Sequence, residues 1–292
     1  MRILVTGIHG QVGFELLRSL EPLGTLILAD HQTMDLTSPS EIQAFIQKSR
    51  PNLIVHPAAY TAVDRAEQEP TVCHQVNSHA VEVMAIEAAK LNAAMILYST
   101  DYVFDGSGVH PHQESDPTGP LNVYGASKLA GEKALALHCP QHLILRTSWV
   151  YSLRGSNFLL TMLRLSQTQS QLRIVADQIG APTWSRFISE RTSDLVTRYV
   201  HVQNEKTTLS CEPGIIHLTP AGETSWAGFA REIFKLAQRN VQIEEIPASA
   251  YPTPAQRPSN SRLDIRKLEH LLGTPMPSWE ESLSQCLKGT PF

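Results

Sequence analysis

Short apolar runs alternate with amphipathic stretches along the first half of the chain. The runs lie at 2–6, 25–29, 53–56, 94–99 and 143–147. They are almost continuously hydrophobic, which is typical of strands that are covered on both faces. Between them the apolar spacing predicts helices, most clearly at 71–91 and at about 123–137. This alternation predicts an α/β fold, a doubly wound parallel sheet of the Rossmann-like kind with right-handed crossovers.

After about residue 150 the pattern loosens. Helices are predicted at 155–168, 225–238 and 278–288, and the segment 203–214 is polar and rich in turn-forming residues. We therefore predict a Rossmann-like domain over 1–150, to which the helix at about 155–168 also belongs. Residues 151–292 are predicted to form mainly a smaller C-terminal lobe that binds the substrate.

Composition narrows the classes of function. The net charge of −4 lacks the basic excess expected of a nucleic-acid binder, so no nucleic-acid partner is expected. No long apolar run indicates a signal peptide or a membrane span. The four cysteines are widely separated, which favours reduced thiols and a cytoplasmic location. Twelve histidines show none of the usual metal-binding spacings, so no metal site is predicted.

A glycine-rich turn follows the first predicted strand. Gly7, Gly10 and Gly13 form a GxxGxxG pattern, with Gln11 and Val12 between the last two glycines. Such a turn lets the backbone approach a pyrophosphate, and the free N–H groups at the start of the next helix face the phosphate charge. Its position between a strand and a helix predicts a dinucleotide site.

Asp30 directly follows the second apolar run. A carboxylate there can accept hydrogen bonds from the adenosine ribose, which favours NADH slightly over NADPH. The next residues, His31 and Gln32, supply no arginine for a 2′-phosphate. Asp30 could equally be a carboxylate that caps the strand end, so NADH and NADPH both remain open.

Tyr124 and Lys128 share one face of a predicted helix, because they are four residues apart. An isolated tyrosine is a poor acid at neutral pH, with a pKa of about 10. We expect the lysine ammonium to lower that pKa, so that the phenol can give a proton to a carbonyl oxygen. Thr100, at the end of the fourth predicted strand, could hold that carbonyl. Ser99 is the competing hydroxyl, since adjacent strand residues face opposite sides.

Further motifs along the sequence match those of one particular family. They are AAYTAVDRAE at 58–67, STDYVFDG at 99–106, YGASK at 124–128, RTSWVY at 146–151, DQIGAPT at 177–183 and RPSNSRLD at 257–264. Together with the glycine turn they occur in one order over nearly the whole chain. The sequence resembles the dTDP-4-dehydrorhamnose reductase family of extended short-chain dehydrogenases.

The resemblance implies a function and a set of site residues. The reaction would be hydride transfer from NAD(P)H to C4 of dTDP-4-dehydro-L-rhamnose, a dTDP-sugar substrate, giving dTDP-L-rhamnose. The catalytic residues would be Thr100, Tyr124 and Lys128. The residues lining the cofactor would be Ala58, Ala59, Tyr60 and Asn77. The residues near the sugar would be Asp101, Tyr102, Val103 and Trp149, with Asn157 as a further polar candidate.

Several alternatives stay open. Another nucleotide-sugar reductase or epimerase could share the same catalytic residues. A non-catalytic regulatory subunit, such as the β subunit of methionine adenosyltransferase, also resembles this family. Trp149 could be a core aromatic. Arg257 and Arg262 could meet a diphosphate or form salt bridges between the lobes.

A metal-linked dimer is a weaker expectation. Some family members are magnesium-linked homodimers that use interface glutamates. Glu15 is available in the first predicted helix, but an arginine, Arg186, stands where a second such glutamate is expected. A homodimer is therefore an open expectation, and a role for magnesium is doubtful.

Overall fold

The computed structural model describes residues 1–288. The α-helices are α1 (Gln11–Leu20), α2 (Pro39–Ser49), α3 (Val63–Ala66), α4 (Pro70–His74), α5 (Ala80–Lys90), α6 (Val123–His138), α7 (Phe158–Leu165), α8 (Ser185–Tyr199), α9 (Trp226–Leu236), α10 (Arg266–Leu272) and α11 (Trp279–Leu287). The strands are β1 (Arg2–Thr6), β2 (Thr25–Ala29), β3 (Leu53–His56), β4 (Ala94–Thr100), β5 (His142–Thr147), β6 (Val150–Tyr151), β7 (Gln171–Val175), β8 (Ile179–Gly180), β9 (Thr183–Trp184), β10 (Val200–Gln203), β11 (Lys206–Leu209), β12 (Gly214–His217), β13 (Thr224–Ser225), β14 (Gln242–Ile246) and β15 (Asn260–Ser261).

Within residues 1–288, six parallel strands form the central sheet in the order β2-β1-β3-β4-β5-β12. Alternate residues of each strand enter different cores. Ile3 and Leu53 pack with α1 and α8 on one face, whereas Leu4 and Ile54 pack with α2, α5 and α6 on the other. Burial on both faces explains the continuous apolar runs. The prediction of a doubly wound parallel sheet is confirmed.

The strand order reverses between β1 and β3. In open parallel sheets, ligands bind at such a switch point, outside the carboxyl ends of the strands. The turn after β1 and the turn after β3 therefore meet at the expected ligand-binding edge.

A π-helical segment, Gln75–His79, interrupts the helix predicted at 71–91 and separates α4 from α5. Asn77 lies in this segment and is buried. Its side-chain amide accepts a hydrogen bond from the N–H of Tyr60 and donates one to the carbonyl of Tyr60. The backbone carbonyl oxygen of Asn77 packs against α6. A Cβ on Gly131 of that helix would lie 2.2 Å from this oxygen. π-bulges of this kind often lie near functional sites.

The C-terminal half also contributes to the sheet. Strand β12 pairs in parallel with β5, and helix α8 packs against α1. Helix α7, shorter than the predicted 155–168, packs against α9. The division of the chain at about residue 150 stays a prediction. No helix among residues 1–288 is long and apolar enough to cross a membrane.

Candidate active site

A cavity of about 970 Å³ lies along the carboxyl ends of the central strands. This is at the upper end of the usual range for small-molecule sites. The predicted site residues on its wall are Gly7, Gly10, Gln11, Val12, Gly13, Asp30, Ala58, Ala59, Tyr60, Thr100, Asp101, Tyr102, Tyr124, Lys128, Trp149 and Asn157. Asn77 and Val103 are not on it. One cavity is therefore lined by residues predicted to bind the cofactor, to catalyse the reaction and to contact the sugar.

The glycine turn is tightly packed against its neighbours. Gly7 has a φ of +57°, and a Cβ there would lie 2.9 Å from the Cα of Ala58. A Cβ on Gly13 would lie 2.1 Å from the carbonyl oxygen of Gly7. Helix α1 begins just after Gly10, so its first N–H groups point towards the cavity edge. This cradle fits the pyrophosphate of a dinucleotide.

Gly13→Ala is expected to destabilise the fold by about 1–3 kcal/mol, because backbone must move to admit the methyl group. The same movement distorts the turn and weakens cofactor binding. Chemical unfolding and NADH titration measure the two effects. Gly108→Ala is the control: Gly108 has a φ of +75°, so an alanine there also strains the backbone, but it lies outside the cavity, and NADH affinity should stay unchanged. Unchanged NADH affinity in Gly13→Ala would contradict the role of the turn.

Asp30 follows β2 and is held firmly. Its Oδ1 accepts hydrogen bonds from the N–H of Gln32 at 3.0 Å, from the N–H of Thr33 at 3.1 Å and from the Thr33 hydroxyl at 3.0 Å. These bonds, above all the Thr33 hydroxyl, lower the pKa of Asp30 against the opposing effect of burial. The carboxylate therefore stays ionised beside the cavity.

Asn77 supports the cofactor wall from behind. Its Oδ1 accepts from the N–H of Tyr60 at 2.8 Å, and its Nδ2 donates to the Tyr60 carbonyl at 3.0 Å and to the Ser127 hydroxyl at 2.9 Å. The side chain is thus occupied within the protein. The resemblance implies that Asn77 lines the cofactor. In the structure its side chain instead fixes the backbone of Tyr60, which does line the cavity.

Thr100, Tyr124 and Lys128 meet where β4 ends and α6 begins. The side chain of Asn122 caps α6 by accepting from the N–H of Gly125 at 2.8 Å. Tyr124 is half-buried and Lys128 is buried on the cavity wall. Ser99 and Thr100 both line the cavity, so strand alternation does not exclude either hydroxyl.

The electrostatics at this point differ from the expectation. Burial raises the pKa of Tyr124, the charge of Asp101 raises it further, and the Thr100 hydroxyl partly opposes them. The pKa of Tyr124 therefore shifts in the direction opposite to the expected one, because burial dominates. Tyr124 keeps its proton at neutral pH, as a proton donor must.

Lys128 and Asp101 are each shifted towards their neutral forms. Burial lowers the pKa of Lys128 to about 8, although the carboxylate of Glu132 works in the opposite direction. Burial also raises the pKa of Asp101 to about 6. Perturbed groups of this kind cluster at functional sites.

Aromatic rings form the end of the cavity near the C-terminal half. Trp149 stacks on Trp226 with ring centroids 3.7 Å apart and planes 10° apart. The Trp149 backbone has a φ of +49°, a left-handed conformation that is costly for a bulky residue. Trp226 also lines the cavity, and Gln178 accepts from its Nε1 at 3.2 Å. The sequence pattern marked Trp226 merely as part of an amphipathic helix.

Asn157 and Val103 have different surroundings. Asn157 caps α7 and donates to the side chain of Gln11 in the glycine turn at 2.8 Å. It therefore links this end of the cavity to the cofactor turn. Val103 is fully buried with Phe104 and Leu263, so it does not face the cavity.

The two arginines of the RPSNSRLD segment both form salt bridges. Arg257 donates to Asp64 at 2.8 Å, which joins the segment after β3 to the C-terminal half. Arg262 donates to Glu223 at 2.7 Å. Arg257 thus forms a salt bridge between the two halves of the chain, whereas the salt bridge of Arg262 lies within the C-terminal half. A contact of either arginine with a diphosphate stays a prediction.

The two residues considered above for a magnesium-linked dimer, Glu15 and Arg186, form a salt bridge with each other. Glu15 is mostly buried, and its Oε2 accepts from Nε of Arg186 at 3.1 Å. The guanidinium already offsets the negative charge of Glu15 and would repel a divalent cation. In the described residues, no group of three or more His, Cys, Asp or Glu side chains could hold a metal.

We therefore expect chelation to have no effect. Turnover and sedimentation coefficient should be the same after dialysis against EDTA and after addition of Mg²⁺. The physical reason is the Glu15–Arg186 pair, which takes the place of a carboxylate cluster. A loss of turnover or of oligomeric state in EDTA, reversed by Mg²⁺, would contradict this expectation.

Comparison with known proteins identifies the family. The model of the RmlD substrate binding domain matches residues 1–291. A dTDP-4-dehydrorhamnose reductase of Burkholderia thailandensis is 42% identical over 296 aligned positions, gaps included, and the alignment covers 99% of this chain and 98% of that protein. One from Shigella flexneri is 43% identical over 297 aligned positions, and that alignment covers 98% of this chain and 97% of that protein. The crystal structure of the Bacillus anthracis dTDP-4-dehydrorhamnose reductase in complex with NADP is 33% identical, with a TM-score of 0.90 and 99% of both chains covered. The chain therefore belongs to the dTDP-4-dehydrorhamnose reductase family.

Proposed function

We propose that this protein reduces the C4 carbonyl of dTDP-4-dehydro-L-rhamnose to give dTDP-L-rhamnose, with NADH or NADPH as reductant. Its family consists of nicotinamide-dependent oxidoreductases that act on a nucleotide sugar. The observation that carries the proposal is the single cavity that joins the glycine turn to Thr100, Tyr124 and Lys128. A cofactor and a carbonyl substrate can meet there, beside a protonated phenol.

The catalytic residues have distinct roles in this proposal. A bound reduced nicotinamide supplies the hydride that C4 receives. Tyr124 holds the proton that the carbonyl oxygen takes up, and its raised pKa keeps that proton in place beforehand. The hydroxyl of Thr100 orients the carbonyl, and the buried ammonium of Lys128 favours negative charge on the phenolate that forms.

Substrate binding uses the aromatic end of the cavity. Trp149 and Trp226 both line the cavity, and because they stack on each other they form a rigid apolar wall for a sugar ring. Tyr102 lies edge-to-face with Tyr124 at 5.7 Å and limits the space around the phenol. Together these rings exclude water from the reacting carbonyl.

An absorbance assay tests the proposal. Enzymatically prepared dTDP-4-dehydro-L-rhamnose should cause oxidation of NADH or NADPH, whereas dTDP-glucose, which lacks the ketone, should not. Formation of dTDP-L-rhamnose should match the cofactor consumed. Cofactor binding without oxidation by this substrate would refute the proposed reaction and favour another sugar nucleotide or a regulatory role.

A further inference from the structure

The two oxygens of the Asp30 carboxylate have different surroundings. Oδ1 takes the three hydrogen bonds from Gln32 and Thr33. Oδ2 lies 3.2 Å from Nε2 of His9, which comes from the glycine turn. The His9 side chain is 71% exposed and that of Asp30 is 18% exposed. Asp30 is thus fixed in position through Oδ1, while Oδ2 contacts the exposed imidazole of His9.

This end of the cavity has few positive charges. Among the described residues that line the cavity there is no arginine, and the lysine is Lys128, which is buried beside Tyr124. At the ribose end the lining side chains that can carry charge are His9, Asp30, His31 and Asp35. At neutral pH the fixed charges there are therefore negative, which opposes a 2′-phosphate.

Other charged groups near this turn are already engaged. The carboxylate of Asp35 accepts from Thr37 and is also stabilised by the charge of His31. Glu41 accepts from the N–H of Asp35 at 3.3 Å. Arg154 lies over the Phe14 ring, with its guanidinium carbon 3.6 Å from the ring centroid. His9 is the side chain that both contacts Asp30 and is able to gain a positive charge.

We propose that His9 determines the preference of this site between NADPH and NADH. Neutral His9 leaves Oδ2 of Asp30 to accept a ribose hydroxyl of NADH. Protonated His9 offsets the charge of Asp30 and offers an N–H donor to the 2′-phosphate of NADPH. The preference therefore moves towards NADPH as the pH falls. The inference rests on the cofactor site of the proposed function and is independent of the sugar.

The expected size of the effect is modest, because His9 is exposed and water screens its charge. The change is expected between about pH 8 and about pH 5.5, the range over which imidazoles in general gain a positive charge. Exposed charge pairs of this kind change affinity by roughly two- to fivefold. The ratio of the NAD⁺ to the NADP⁺ dissociation constant should therefore rise about two- to fivefold on acidification.

The test is direct binding of NADP⁺ and NAD⁺, which survive mild acid, by calorimetry at the two pH values. The wild type is compared with His9→Gln and with His31→Gln, a matched histidine from the neighbouring loop. We expect the rise in the wild type and in His31→Gln to exceed the rise in His9→Gln by about two- to fivefold, because only the 2′-phosphate changes its charge in His9→Gln. The 2′-phosphate titrates in all three proteins, so its own contribution cancels in the comparison.

Each other outcome overturns the inference. A constant ratio in the wild type removes the pH-dependent preference. The same rise in His9→Gln as in the wild type, or its loss in His31→Gln, removes the assignment to His9. Because the readout is binding, these results leave the proposed reduction intact, whereas failure to bind either nucleotide would refute the cofactor site itself.

Discussion

Tyr124→Phe is expected to bind cofactor normally and to lose turnover by a factor of about 10²–10⁴. The phenol hydroxyl lies within hydrogen-bonding reach of the Thr100 side chain, and burial keeps it protonated. Phenylalanine retains the ring and its edge-to-face contact with Tyr102 but has no proton to give. Fluorescence titration with NADH and the steady-state rate of NADH oxidation measure the two quantities.

Tyr98→Phe is the matched control. Tyr98 also lines the cavity, but its hydroxyl is 2.7 Å from that of Thr192 on α8. Removing that hydroxyl should lower stability by about 1 kcal/mol and leave turnover unchanged. Turnover of Tyr124→Phe within a few-fold of the wild type would exclude Tyr124 as the proton donor, and an equal loss in Tyr98→Phe would show a general effect of losing a phenol.

Glu132→Ala is expected to destabilise the protein by about 3–5 kcal/mol. Glu132 accepts from Nε of Arg146 at 2.8 Å and from its Nη2 at 2.6 Å, and both side chains are buried. The guanidinium also lies over the ring of Phe104, at 4.9 Å from the centroid. Loss of the carboxylate leaves a buried cation between α6 and β5 without its partner. Urea unfolding measures the change in free energy.

Two comparisons make this prediction specific. The double variant Glu132→Leu with Arg146→Met removes both charges and should regain most of the stability. Glu232→Ala removes one partner of the exposed pair with Lys235 and should cost less than about 1 kcal/mol. The interpretation of the buried pair fails if Glu132→Ala costs no more than Glu232→Ala, or if the double variant is less stable than Glu132→Ala.

The central sheet could be predicted well because burial on both faces leaves a clear pattern. The apolar runs at 2–6, 25–29 and 53–56 coincide with β1, β2 and β3. Strand β12 was missed: its four residues follow a polar segment, and pairing with β5 makes them a strand. Such long-range pairing has no local signal in the sequence.

The site was predicted in part for similar reasons. The glycine turn and the Tyr124–Lys128 spacing are local, and the structure places these residues on one cavity. The position of Asn77 depends on a π-helical segment, which helical periodicity does not indicate. The contact of Trp226 with Trp149 joins distant parts of the chain, as does the Glu15–Arg186 pair. The raised pKa of Tyr124 depends on its depth in the cavity, and spacing alone suggested the opposite direction.

Hydride transfer to C4 of the sugar is the central claim, and deuterium labelling tests it most directly. The protein would be incubated with NADH deuterated at C4 of the nicotinamide on the transferred face and with dTDP-4-dehydro-L-rhamnose, and the product examined by NMR. The account predicts dTDP-L-rhamnose with one deuterium at C4 for each NADH oxidised. Product without deuterium at C4, or conversion of the sugar without net oxidation of NADH, would contradict it.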